Sequence, residues 1–219
     1  MFRQDIHGVS ARATLFRMTD LGAWLAAHGS SRAELFGFIT GALNVWLVTR
    51  ENIWSWPLGV LNAGFYIVVF ARTGLYSDTG LQVVYLVLSF YGWWNWARGV
   101  APGTPLPVTR VGLRQMASLA AVGLFTWALL AAVTRQIPNA QLPVLDAALV
   151  ATSLVAQWMM TRKLIEHWVL WIAVDVVYVP LLVSRGLRLT AVLYAVFLVL
   201  AIAGFVQWKR SATRARLTT

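Results

Sequence analysis

From Asn52 to Ala71 the chain carries no charged side chain. A helix lying on a water-soluble domain shows an apolar stripe and a charged opposite face, and this segment has no charged face. Its solvent is lipid. Strongly apolar runs lie at Leu35 to Val48, Trp54 to Ala71, Gly80 to Trp96, Leu113 to Val133, Pro143 to Met160, Trp168 to Ser184 and Leu189 to Gln207, lengths close to the roughly 17 to 25 residues that a helix needs to cross a bilayer.

Composition agrees. With 59% hydrophobic residues, 12% charged residues and a mean hydropathy of +0.67, the chain has more apolar surface than a water-soluble domain of this length hides. The net charge of +10 raises nucleic acid as a partner, but the basic residues stand singly between apolar runs and gather only near the two ends. That pattern fits lipid headgroups, so no nucleic-acid partner is expected. The absence of cysteine removes disulfides, thiolate metal sites and a cysteine nucleophile. The first twenty or so residues lack the uninterrupted apolar core of a cleaved signal. The patch "LGAWLAAHG", Leu21 to Gly29, is too short to span alone and reads as an interfacial helix; joined to "ATLFRM" just before it, it just reaches the length of an eighth span.

Sliding the chain against itself by 112 positions, the separation of Trp56 and Trp168, brings unlike-chance identities into line. Thr40 meets Thr152, Trp46 meets Trp158, Thr49-Arg50 meets Thr161-Arg162, and Ile53 meets Ile165. Further on, Tyr66 meets Tyr178, Gly74-Leu75 meets Gly186-Leu187, Gly92 meets Gly204 and Trp96 meets Trp208. Apolar coincidences are cheap in such a chain, but Trp, Tyr, Arg and Gly paired at one offset indicate a duplicated unit of three helices. Two such units placed back to back would lie in opposite orientations, because an odd number of spans ends on the far side. A single helix between them restores the orientation.

The expected fold is therefore an all-α membrane protein with seven transmembrane helices in a 3+1+3 order. It holds two parallel three-helix repeats, a site near midplane between them, and room for an extra N-terminal helix. The organisation is a 1–32 N-terminal segment with an interfacial helix, repeat 1 at 33–98, a linker and fourth helix at 99–134, repeat 2 at 135–208, and a basic tail at 209–219. "GVAPGTPLPVT", Gly99 to Thr109, is the clearest break in the chain.

Candidate site residues follow from helical periodicity. Trp168, Trp171, Asp175 and Tyr178 share one face of the sixth span. Gln82, Tyr85, Ser89 and Gly92 share one face of the third, while Trp56, Gly59 or Val60, Ala63 and Tyr66 form a stripe on the second with Asn62 beside it. Each has a blander reading. Tryptophans 54, 56, 93, 94, 96 and 168 sit near span ends, where indoles anchor at the interface, and glycines 59, 64 and 92 allow helices to approach closely. Asn44, Asn62 and Gln157 can serve as interhelical glue; Asn44 is favoured for the site. Asp175 stands apart, because an acid deep in a span faces a cavity or a partner by default. Pro180 predicts a kink in the sixth span.

At "RENIWSWPLGVLNAGFY" (Arg50 to Tyr66) and "LQVVYLVLSFYGWWNW" (Leu81 to Trp96) the chain resembles the PnuC-type nicotinamide riboside transporters, which share a 3+1+3 architecture with the sugar-transporting SWEET proteins. The resemblance covers nearly all of residues 33–208 in helix order and spacing, and its specific part lies in repeat 1. It implies uptake of a vitamin B3 nucleoside, a precursor of NAD, by facilitated diffusion, with cytoplasmic phosphorylation trapping the cargo. Aromatic rings stack on a pyridinium by cation–π attraction, and amides supply the donors and acceptors that ribose hydroxyls need. In this reading Trp56, Trp168, Tyr66 and Tyr178 wall the cavity, Trp171 stacks on the base, and Asn44, Gln82 and Tyr85 read polar groups, with Asn62, Ser89 and Asp175 completing the set.

Thiamine, also cationic and aromatic, or a sugar remains an alternative cargo. An intramembrane enzyme or redox subunit is the rival class. His7, His28 and His167 lie at or beyond span ends, and neither a catalytic motif nor a pair of intramembrane acids is present, so no cofactor, metal or enzymatic activity is expected. The partners expected are nicotinamide riboside and the lipid bilayer, and assembly with further copies of the chain is compatible with the sequence. The expected location is the inner membrane, and counting arginine and lysine near span ends places the C-terminus on the cytoplasmic side.

Overall fold

The computed structural model describes residues 32–72, 76–136 and 142–217. The short N-terminal patch read as an interfacial helix lies outside them. Seven helices follow: α1 Arg32–Thr49, α2 Ser55–Arg72, α3 Tyr76–Arg98, α4 Leu113–Thr134, α5 Pro143–Thr161, α6 His167–Ser184 and α7 Arg188–Leu217. The helices begin and end within a few residues of the apolar runs, except that α7 carries on through residues expected to form a basic tail.

Helices α4 to α7 are long and apolar enough to cross a membrane by themselves. In α2 and α3 the outer faces are equally apolar, with Leu61, Val68, Val84, Val87 and Phe90 exposed; inward-facing Asn, Gln, Ser and Tyr dilute the average. Local chemistry sets the ends. Asn52 caps the start of α2, its Oδ1 accepting the Trp54 N–H at 2.9 Å, and Pro57 occupies the first turn, where a missing N–H costs little. Helix α6 stays helical through Pro180.

The offset of 112 residues reappears in the packing. The Trp56 and Trp96 rings meet edge to face at 5.3 Å, and Trp168 and Trp208 do the same at 5.7 Å. A Cβ on Gly92 would fall 2.2 Å from the Trp56 ring, and one on Gly204 would fall 2.4 Å from the Trp168 ring. The cross-contacts are reciprocal. Trp96 Nε1 donates to the Met160 carbonyl at 3.2 Å, while Trp208 Nε1 donates to the Val48 carbonyl at 3.0 Å. The same kind of contact is thus made in both directions across the offset.

These indoles form the core. Trp56, Trp96, Trp168 and Trp208 are buried together with Val48, Met160 and Ile165. The break after α3 is no free linker: Gly99 turns at φ 62°, and Thr109 pairs with the turn before α6, donating to the Lys163 carbonyl and accepting from Ile165 N–H, both at 3.0 Å. The Glu166 carboxylate then accepts the Val111 N–H at 3.0 Å.

Candidate substrate cavity

A cavity of about 430 Å³ lies among α1, α2, α3, α5, α6 and α7. Along α3 its wall runs through Asp78, Gln82, Tyr85 and Ser89, a rise of about 16 Å at 1.5 Å per residue. Asp78 is exposed, whereas Ser89 is buried. Val48 and Met160, whose carbonyls accept the indoles of Trp208 and Trp96, also line it. The tryptophan core thus forms one end of the cavity.

The face expected on the sixth span is present: Trp168, Trp171, Asp175 and Tyr178 all line the cavity, as do Asn44, Asn62, Gln82, Tyr85 and Ser89. Gly59 makes room where three helices converge, since a Cβ there would lie 3.4 Å from Ser89 Oγ on α3 and 3.7 Å from Asn44 Nδ2 on α1. Asn44 Oδ1 and Trp168 Nε1 are buried with no hydrogen-bond partner among the described residues. One is an acceptor and the other a donor, and leaving such groups unpaired is costly. Asn62 has two roles, lining the cavity while its Nδ2 donates to Thr40 Oγ1 of α1 at 2.7 Å.

Two proposed wall residues lie elsewhere. Trp56 is buried against Gly92 and Trp96, outside the lining. Tyr66 turns toward α1, where Gly37 leaves space for its hydroxyl, and its ring stacks on Phe70 at 5.3 Å; Phe70 reaches the cavity in its place. Of the other tryptophans near span ends, Trp54, Trp93 and Trp94 are exposed and Trp96 is buried.

Amides, hydroxyls, rings and carboxyls share the cavity. Helices α1 to α3 supply Asn44, Asn62, Gln82, Tyr85 and Ser89 with the ring of Phe70 and the carboxyl of Asp78, α5 adds Ser153 and Gln157, and α6 and α7 supply the rings of Trp168, Trp171, Tyr178, Tyr194 and Phe197 and the carboxyl of Asp175. No cluster of three or more His, Cys, Asp or Glu residues suited to a metal occurs among the described residues.

Residues 31–210 match the family model described as nicotinamide mononucleotide transporter. The chain belongs to that family. Its relatives include the nicotinamide riboside transporter PnuC of Escherichia coli (strain K12), 26% identical over 204 residues that cover 82% of this chain and 85% of that one. The riboflavin/roseoflavin transporter RibM of Streptomyces davaonensis is 28% identical over 183 residues, covering 80% and 84%. A crystal structure of the vitamin B3 transporter PnuC shares the fold, with a TM-score of 0.71 at 22% identity over 88% of this chain and 87% of that one. The chain is an integral membrane protein of a transporter family.

Ser153, Tyr194 and Phe197 line the cavity without standing out from sequence periodicity, and Gln157 lines it with them. The offset of 112 marks all four. Gly41, Val45, Gln82 and Tyr85 line the cavity, and so do their partners Ser153, Gln157, Tyr194 and Phe197. Transferring the third-span stripe onto α7 would have found the last two.

Proposed function

We propose that this protein carries nicotinamide riboside across the inner membrane by facilitated diffusion, binding it in the cavity between α1–α3 and α5–α7. The observation that carries the reading is a cavity that brings the amides and hydroxyls of Asn44, Gln82, Tyr85 and Ser89 together with the rings of Trp168, Trp171 and Tyr178 and the carboxyl of Asp175. Ribose hydroxyls pair with Asn44, Gln82, Tyr85 and Ser89, and the flat pyridinium lies among Trp168, Trp171 and Tyr178 with Asp175 beside it. The unpartnered Asn44 Oδ1 and Trp168 Nε1 take up the hydrogen bonds that the cargo offers. Residues 33–98 and 135–208 act as the two repeats of a 3+1+3 transporter, of the kind seen in SWEET proteins, and alternate access by moving against each other around the site.

The side bearing Arg50, Arg98, Arg162 and Lys209 faces the cytoplasm, and the C-terminus lies with it. Transport involves no chemistry on the cargo. In proteoliposomes, nicotinamide riboside should equilibrate down its gradient without ATP or an ion gradient. Accumulation above the outside concentration in empty vesicles would overturn facilitated diffusion. Titrating the purified protein's tryptophan fluorescence with nicotinamide riboside, thiamine, nicotinamide and glucose tests the cargo, with quenching expected for the riboside at the lowest concentration.

A further inference from the structure

We propose that Asp175 makes the cavity select a cationic ring over an uncharged ring of the same shape. The chain has a net charge of +10, yet the described residues lining the cavity include no Lys, Arg or His and two acids, Asp78 and Asp175. Asp78 is exposed at the start of α3. Asp175 is only 3% exposed, and the ion pairs among the described residues, Lys163–Glu51 and Arg185–Asp146, do not involve it. A carboxylate taken out of water without a cation is costly and marks a functional position in a membrane-spanning helix. A cationic ligand supplies the missing partner, and in a cavity with little water the attraction is much stronger than in solution.

The placement is one-sided. Asp175 lies one turn beyond Trp171 on α6, and Tyr178 follows one turn later, all on the cavity wall. Its counterpart 112 residues earlier is Ala63, which also lines the cavity, so at this position the wall carries an acid on α6 and none on α2. The cationic end of the ligand is drawn to α6, leaving its hydroxyls to the amides of α1 to α3. The family also includes a relative named for riboflavin, whose ring system is uncharged, so the shared fold does not itself fix the charge of the ligand. A side chain in the cavity must do so, and Asp175 is placed to do it.

This inference rests on the proposed cargo, and the test separates the two. Binding of nicotinamide riboside and of its uncharged 1,4-dihydro form is measured by calorimetry on the purified full-length protein, alongside thiamine and its uncharged 3-deaza analogue. The unaltered protein should prefer the cation of at least one pair by about tenfold or more. Asp175→Asn should remove most of that preference by weakening the cation and sparing the neutral form, while Asp175→Glu should keep it. If thiamine shows the preference and nicotinamide riboside does not bind, the cargo reading falls and charge selection stands. A preference that survives Asp175→Asn assigns selection to the rings and overturns the role of Asp175. Absence of any cation preference in the unaltered protein overturns it too, a measurement that does not depend on any variant folding.

Discussion

Glu51 and Lys163 form an ion pair at 3.0 Å, although they stand 112 residues apart and so occupy the same position of the two halves. Both have left-handed backbones, φ 53° and 51°, in the turns that follow α1 and α5. Identical charged side chains meeting at these two positions would repel. One acid and one base turn that repulsion into attraction. Lys163 Nζ also lies 4.5 Å from the centroid of the Trp96 ring, and its side chain is 7% exposed. The pair therefore belongs to the buried tryptophan core rather than to the solvated surface.

Removing one partner strands the other in a poorly hydrated site. Lys163→Met and Glu51→Gln should each lower stability by about 1 to 3 kcal/mol, below the cost of breaking a fully buried pair because Glu51 is partly exposed. The exchange Glu51→Lys with Lys163→Glu should recover at least half of the loss, since the two turns share a backbone conformation and the exchanged pair keeps opposite charges. Thermal melts of the four proteins in one detergent check this. A double exchange no better than the worse single change would show that the pair is not governed by opposite charge in matched turns.

The glycines under the indoles give a sharper test. A methyl group at Gly92 or Gly204 would overlap the Trp56 or Trp168 ring, and a packed core accommodates such overlap at about 1 to 3 kcal/mol. Gly92→Ala and Gly204→Ala should therefore both destabilise, whereas Gly64→Ala and Gly80→Ala, with nothing within 4 Å of the added carbon, should not. Equal melting temperatures for all four variants would mean that the indoles shift freely.

The sequence revealed helix number and faces more readily than depth. Long apolar runs with at most one charged residue each mark the seven described helices, because a segment crossing lipid has few alternatives. The faces of α3 and α6 were legible because polar residues in an apolar helix stand out. Trp56 shows what periodicity omits: it lies on the predicted stripe but enters the hole left by Gly92, a fact about the neighbouring helix. Tyr194 and Phe197 were hidden for the opposite reason, since "AVLYAVFLVLA" is as apolar as a lipid-facing helix. Only its register with Gln82 and Tyr85 sets those two positions apart.

Rings and amides in the cavity should contribute separately. Trp171, on α6, and Gln82, on α3, both line the cavity; Trp54, 68% exposed, does not. Trp171→Ala should weaken nicotinamide riboside binding by about 1 to 3 kcal/mol through lost stacking and lost burial, and Gln82→Ala by a similar amount through a hydrogen-bonding group left unpaired. Trp54→Ala should leave affinity within about 0.5 kcal/mol, as expected of a surface change away from the site. The cargo fragment separates the two roles further. Nicotinamide lacks the ribose, so its weak binding should fall with Trp171→Ala and be nearly indifferent to Gln82→Ala. Calorimetric titration of the three variants with both compounds reads each term. If all three changes weaken binding alike and track loss of folded protein, these residues hold the bundle together and the cargo binds elsewhere.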